Sequence, residues 1–148
     1  MERQQRFVGT EDALTERIIA VFYEVYNELG YGFVESVYGR AMAIALAQSG
    51  LAVVAEVFIP VSFRGQAIGT FRADLIVEGK VVLEFKIVDQ IIKAYEAQLT
   101  HYLRASSFEV GMILSFGESP RTRRIEFLND RKRRFSGSAL IPSLSLES

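Results

Sequence analysis

The sequence predicts one mixed α/β domain. Three observations predict it. Two segments with helical periodicity come first, short β-branched segments follow, and a further helical segment stands before the last strands. The chain has 148 residues, of which 49% are hydrophobic and 24% charged, with a formal net charge of −1. That length suits a single core, and so apolar and neutral a chain is not a disordered one. Residues 1–13 read as a flexible N-terminal segment, 14–128 as the folded domain, and 129–148 as a basic and then Ser-rich tail.

From Leu14 to Leu29 the apolar positions Ile18, Val21, Phe22, Val25 and Tyr26 recur at helical spacing, with Thr10 or Asp12 as a cap and Gly30 and Gly32 as the stop. A second helix is expected over 33–49, rich in Ala and ended by Gly50. The period then changes. Residues 51–59 form a β-branched run that Pro60 is expected to interrupt, and 61–64 with 68–77 read as a hairpin around Arg64-Gly65-Gln66. Glu78-Gly79-Lys80 signals a turn into the strand 81–88. A helix from Ile91 to Arg104 follows, with Asp89 as its cap, then a strand at 109–115 and an edge strand at 123–128. The expected order is α-α-β-β-β-β-α-β-β.

Cysteine is absent, which removes disulfides, thiolate zinc sites and cysteine nucleophiles. The N-terminus has no apolar core for a signal peptide, and no apolar run approaches the ~20 residues that span a bilayer. The reading is a soluble, cytoplasmic protein without a membrane partner. Net charge near zero argues against a nucleic-acid partner, yet the charge is unevenly spread. Residues 121–134 hold Arg121, Arg123, Arg124, Arg131, Lys132, Arg133 and Arg134 against Glu126 and Asp130, a local +5 with −6 over the rest. This run is either a solvated face or a contact to phosphates, which Arg72 would extend.

The strand 81–88 carries the chemistry. It is apolar except for Glu84 and Lys86, which are two apart and so share a face. Such a strand is central and covered on both sides, where ionised groups need partners. Asp74 is a similar oddity in the preceding strand, and a hairpin centred on Gly79 brings it beside Glu84. Two adjacent carboxylates repel, so one is protonated unless a cation lies between them. Oxygen ligands suit Mg²⁺ or Mn²⁺. An ion pair of Lys86 with Asp74 or Glu84 at a sheet edge is the alternative. Helical spacing adds Glu35 with Tyr38 and Gln98 with Tyr102, each pair on one face.

In order along the chain, Gly32-x-x-Glu35-x-x-Tyr38, Phe71-Arg72-Ala73-Asp74, Glu84-Phe85-Lys86 and Gln98-x-x-x-Tyr102 resemble the GxxExxY protein family of the PD-(D/E)XK nuclease superfamily. The resemblance spans about residues 14–128. It implies a restriction-endonuclease-like αβββαβ core, a mixed central sheet flanked by helices. It further implies metal ligation by Asp74, Glu84 and the Phe85 backbone carbonyl, with Glu35 as a further ligand or water base. Lys86 would orient water and stabilise developing charge, and Gln98 and Tyr102 would position the site or the phosphate. The Pro that precedes the first Asp in the superfamily is Ala73 here. His101 faces about 100° away from Tyr102 and reads as a surface residue or one with its hydrogen bonds satisfied.

The expected function is metal-dependent hydrolysis of phosphodiester bonds, in DNA rather than RNA, with Arg72, Arg121, Arg123 and Arg124 as candidate nucleic-acid contacts. So short a chain either acts as a homo-oligomer or reads its substrate loosely. The alternative is an inactive nuclease-fold module that binds nucleic acid or a protein partner, to which a mean hydropathy of +0.17 lends weight.

Overall fold

A computed structural model describes residues 9–136. The flexible segment expected over 1–13 lies mostly, and the Ser-rich tail from 137 onward wholly, outside these residues. Helices α1 (Asp12–Leu29) and α2 (Glu35–Gln48) come first. Strands β1 (Val53–Phe63), β2 (Gln66–Val77) and β3 (Val81–Lys86) follow. Helix α3 (Lys93–Arg104) leads to β4 (Val110–Phe116), β5 (Pro120–Glu126) and helix α4 (Asn129–Ser136).

The five strands form one sheet in the order β1-β2-β3-β4-β5. All neighbours are antiparallel except β3 and β4, which α3 joins as a parallel pair. Strand β3 is therefore the central strand, as its continuous apolar run requires. Ile18, Phe22, Met42 and Leu46 of α1 and α2 cover one face, against Val81, Leu83 and Phe85. Leu99 and Leu103 of α3 cover the other, against Ile76, Val82 and Ile113.

Three expectations change. Pro60 does not divide a strand: it sits within β1 opposite Thr70, so three strands precede α3 rather than four. Strand β1 is an edge, where a missing backbone N–H need not cost a ladder bond. Asp89 does not cap α3, whose N-cap is Ile92 without a side-chain hydrogen bond. Residues 129–136, expected as tail, form α4. That helix is held by a buried lysine: Lys132 Nζ donates to the carbonyls of Ser106, at 2.9 Å, and Phe108. Burial pushes the Lys132 ammonium down to about 8.

Strands β1 and β2 change face part-way along. In β2, Ala73 packs with the α3-side core while Leu75 packs with the α1/α2-side core. In β1, Val57 and Val53 divide in the same way. The switch falls at Glu56 and Asp74, the pair missing from the ladder between Ala55↔Leu75 and Val57↔Ala73. Glu56 takes a left-handed backbone there, with φ 54°.

Candidate active site

Asp74 sits at this switch. The β2–β3 ladder runs Val77↔Val81, Ile76↔Val82 and Leu75↔Leu83, the register centred on Gly79. One step on, the Asp74 carboxylate accepts the Phe85 backbone N–H at 2.7 Å. Arg72 Nη2 lies 3.6 Å from Asp74 Oδ1, and its other terminal nitrogen 3.5 Å from Glu56 Oε2. Burial raises the Asp74 carboxyl above the usual carboxylate range, against the lowering effects of the Phe85 N–H and Arg72.

Glu84 and Lys86 point together to the α3 side, lining a narrow space with Tyr95, Gln98, Leu99 and Tyr102. Glu84 Oε2 is buried and has no hydrogen-bond partner among the described residues. Burial first, and the neighbouring Asp74 second, push the Glu84 carboxyl up to about 8. Lys86 forms no ion pair among the described residues, which removes the simple ion-pair alternative; its ammonium stands 4.4 Å above the Tyr95 ring. Gln98 Nε2 donates to Tyr102 Oη at 3.4 Å, and the Tyr102 ring stacks on Phe71 at 3.6 Å.

The opposite side of Asp74 opens into a cleft of about 450 Å³ whose lining includes Val34, Glu35, Arg40, Glu56, Arg72 and Phe85. Glu35 opens α2 as an exposed residue. Its position is set by Tyr38, which is wholly buried and stacked on Phe116 at 4.1 Å. The Tyr38 hydroxyl donates to the Gly30 carbonyl and accepts the Phe33 N–H at 3.2 Å. This latches the turn in which Gly30 and Gly32 hold φ of 76° and 128°. The far end of β3 is fixed just as closely. Ser115 Oγ bonds both the N–H and carbonyl of Val88, and a Cβ on Gly117 would fall 2.3 Å from that carbonyl.

The structure thus brings Glu84, Lys86, Gln98 and Tyr102 around one narrow space, sets Asp74 close enough to Glu84 to raise its carboxyl, and places Glu35 with Asp74 on the cleft of the other side. Among the described residues no three acidic or histidine side chains stand as a metal-holding group. Two of them, with an orphaned buried carboxylate oxygen between low-dielectric walls, nevertheless suit a cation: the donors are oxygens, and the repulsion needs compensating charge.

The candidate arginines divide. Arg121 and Arg123 face α3, where Arg121 donates to the Asp89 carbonyl at 2.7 Å and Arg123 pairs with Glu96 at 2.9 Å. Arg124 faces α1, pairing with Asp12 at 3.3 Å and Glu126 at 3.1 Å and donating to Thr15 and to the Thr10 carbonyl. Strand alternation splits what reads in sequence as one basic run. His101 is exposed.

Sequence reasoning missed Tyr95 and Glu56. Tyr95 precedes Gln98 by three and Tyr102 by seven, one helical face. Glu56 is the single charged residue in 51–59, the same signal that marks Asp74 in β2.

A family model described as the PD-(D/E)XK nuclease superfamily matches residues 12–126. The chain belongs to that superfamily. The mixed five-stranded sheet with its flanking helices agrees with the restriction-endonuclease-like fold of PD-(D/E)XK nucleases, and the chain is a nuclease-like protein. PD-(D/E)XK nucleases commonly use divalent metals and act on nucleic acid. Neither a curated protein nor a solved structure matches the chain. No helix among the described residues is long and apolar enough to cross a membrane.

Proposed function

We propose that this protein hydrolyses phosphodiester bonds in DNA with the help of Mg²⁺ or Mn²⁺. The observation that carries the reading is Glu84: a buried, unpartnered carboxylate oxygen beside a second carboxylate. A structural acid at that depth would have a donor, because an unpaired buried polar group costs about 1–3 kcal/mol.

In this reading Asp74 and Glu84 are ligands, joined by the Phe85 carbonyl and, from across the cleft, by Glu35. A bound divalent ion would supply positive charge for the phosphoryl oxygens and acidify an attacking water. Glu84 holds a proton on its carboxyl at neutral pH and gives it up when a cation takes that place. Lys86, held over Tyr95 and without an ion pair among the described residues, donates to a phosphoryl oxygen as charge develops on it. Gln98 and Tyr102 orient the phosphate. The spacing of Gly32, Glu35 and Tyr38 supports reading the chain as a member of the GxxExxY group, with the Tyr38 latch holding Glu35 at the cleft.

The test is incubation of the wild type and Lys86→Ala with plasmid, linear and single-stranded DNA in Mg²⁺ and in Mn²⁺. Cleavage by the wild type alone is expected. Equal inertness of both proteins on every substrate would overturn the reading. That no three acidic or histidine side chains among the described residues stand as a metal-holding group favours a second reading, a nuclease fold that binds without cleaving. Calorimetric titration with Mn²⁺ separates the two: uptake lost in Asp74→Asn supports the enzyme, and no uptake by the wild type supports the binding module.

A further inference from the structure

The two oxygens of Asp74 are engaged differently. Oδ2 accepts the Phe85 N–H at 2.7 Å, which ties that oxygen to the sheet. Oδ1 faces Arg72 Nη2 at 3.6 Å, and Arg72 Nη1 lies 3.5 Å from Glu56 Oε2. Both contacts are longer than the about 2.7–2.9 Å of a charge-assisted hydrogen bond. One guanidinium is thus shared between two carboxylates and hydrogen-bonded to neither. The Arg72 side chain is 47% exposed, so it can shift from one carboxylate to the other without taking its charge out of water. Glu56 is placed to receive it. It is the one charged residue of β1, it takes a left-handed backbone with φ 54°, and it lines the cleft beside Asp74. A glutamate holds that conformation at a cost, and such strain gathers at sites that bind. A second cation approaching Oδ1 meets the charge of Arg72, because like charges at one carboxylate oxygen repel.

We propose that Arg72 is the resident counter-cation of the Asp74 site and Glu56 the acceptor that draws it aside, so that this couple sets how tightly the site takes up a divalent cation. The inference rests on the metal-dependent reading of Asp74 and Glu84. Arg72 offsets the Asp74 charge from between the two carboxylates. On cation uptake it turns wholly to Glu56 and gives up Oδ1. Both are positioning residues. The role differs from a phosphate contact, for which Arg72 would have to leave both acids.

The experiment titrates Mn²⁺ calorimetrically into the wild type, Arg72→Met, Glu56→Gln and the double variant. Methionine keeps an apolar stem and removes the charge. Arg72→Met takes up Mn²⁺ roughly 3- to 10-fold more tightly than the wild type, the effect of one half-exposed charge on a divalent ion. Glu56→Gln takes it up more weakly by a similar factor, because Arg72 then stays on Asp74. In the Arg72→Met background the Glu56→Gln effect shrinks to less than about 2-fold, since Glu56 acts through the arginine and the two changes do not add. Arg72→Met binding Mn²⁺ no more tightly than the wild type, Glu56→Gln binding like the wild type, or a Glu56→Gln effect of equal size in both backgrounds would each overturn the proposal. If the wild type still takes up Mn²⁺ through Asp74, only the couple is lost and the metal reading stands. Uptake by neither the wild type nor Arg72→Met sinks both, whereas uptake by Arg72→Met alone keeps the couple. The DNA-cleavage assay reports separately on the nuclease reading: tighter uptake in Arg72→Met with no cleavage by any of the proteins sinks the nuclease and keeps the couple.

Discussion

Strand β5 carries Arg121, Arg123 and Arg124, and each meets an acceptor: the Asp89 carbonyl, Glu96, and the set of Asp12, Glu126 and Thr15. Strand β3 lies two places away in the same sheet, and its Glu84 and Lys86 meet none of this. Among the described residues Glu84 keeps an unpartnered buried oxygen, and Lys86 stands over an aromatic face without an ion pair. Charges that serve the fold come with partners, because desolvation penalises them otherwise. A central strand that holds a buried acid without a hydrogen-bond partner beside an ammonium without an ion pair, among the described residues, is arranged for something that binds there.

The contrast predicts that the two strands fail in different ways. The largest effect belongs to β3. Lys86→Ala should lower the DNA cleavage rate by about 10²–10⁴-fold while its melting temperature stays close to the wild type. On β5 the loss is structural: Arg124→Met should cost about 2 kcal/mol through its charged hydrogen bonds, a melting point lower by roughly 4–8 °C, with the cleavage rate per folded molecule unchanged. A thermal melt and a cleavage assay on both variants would break the comparison if the pattern were reversed.

Glu84→Gln goes the other way. The Glu84 carboxyl titrates near 8 in the fold against 4.5 when free. Below about pH 4.5 both states are protonated and nothing is lost. Between 4.5 and 8 the folded protein retains a proton that the unfolded chain releases, so stability falls as pH rises, and the full penalty stands above 8. In chelator at pH 8, Glu84→Gln should therefore melt higher by about 1–2 kcal/mol worth of stability, a few degrees. The gain should vanish at pH 4. Mn²⁺ should likewise raise the wild-type melting point more at pH 8 than at pH 6, because the ligand must lose its proton first. The smallest effect is expected at Tyr95: Tyr95→Leu removes a cation–π contact of about 0.5–1 kcal/mol, a few-fold fall in rate, with kcat rather than KM moving.

Much of this was legible from residue types and spacing. The central place of β3, the shared face of Glu84 and Lys86, and the hairpin register that sets Asp74 against Glu84 all follow from period-2 geometry about a clear turn. The pairing of Gln98 with Tyr102 follows from helical spacing. The face switch at Glu56 and Asp74 was not legible, because alternation assumes an unbroken pleat and no Gly or Pro marks the break. Nor were the fates of the arginines. Their partners Asp12, Asp89 and Glu96 come from α1, the β3–α3 loop and α3, and only the tertiary fold brings these distant segments to β5. Pro60 misled because whether a proline ends a strand depends on whether that strand is an edge.

The face switch has a practical consequence for mutagenesis. Asp74 lies where β2 belongs to neither core, and its carboxylate stands in for a backbone carbonyl toward the Phe85 N–H. The same side chain is therefore a candidate ligand and a rung of the sheet. Truncating it to alanine removes both at once, so a dead Asp74→Ala protein would be indistinguishable from a partly unzipped one. Asparagine keeps an oxygen for the Phe85 N–H and removes only the charge. At this position the isosteric amide, not alanine, separates chemistry from architecture.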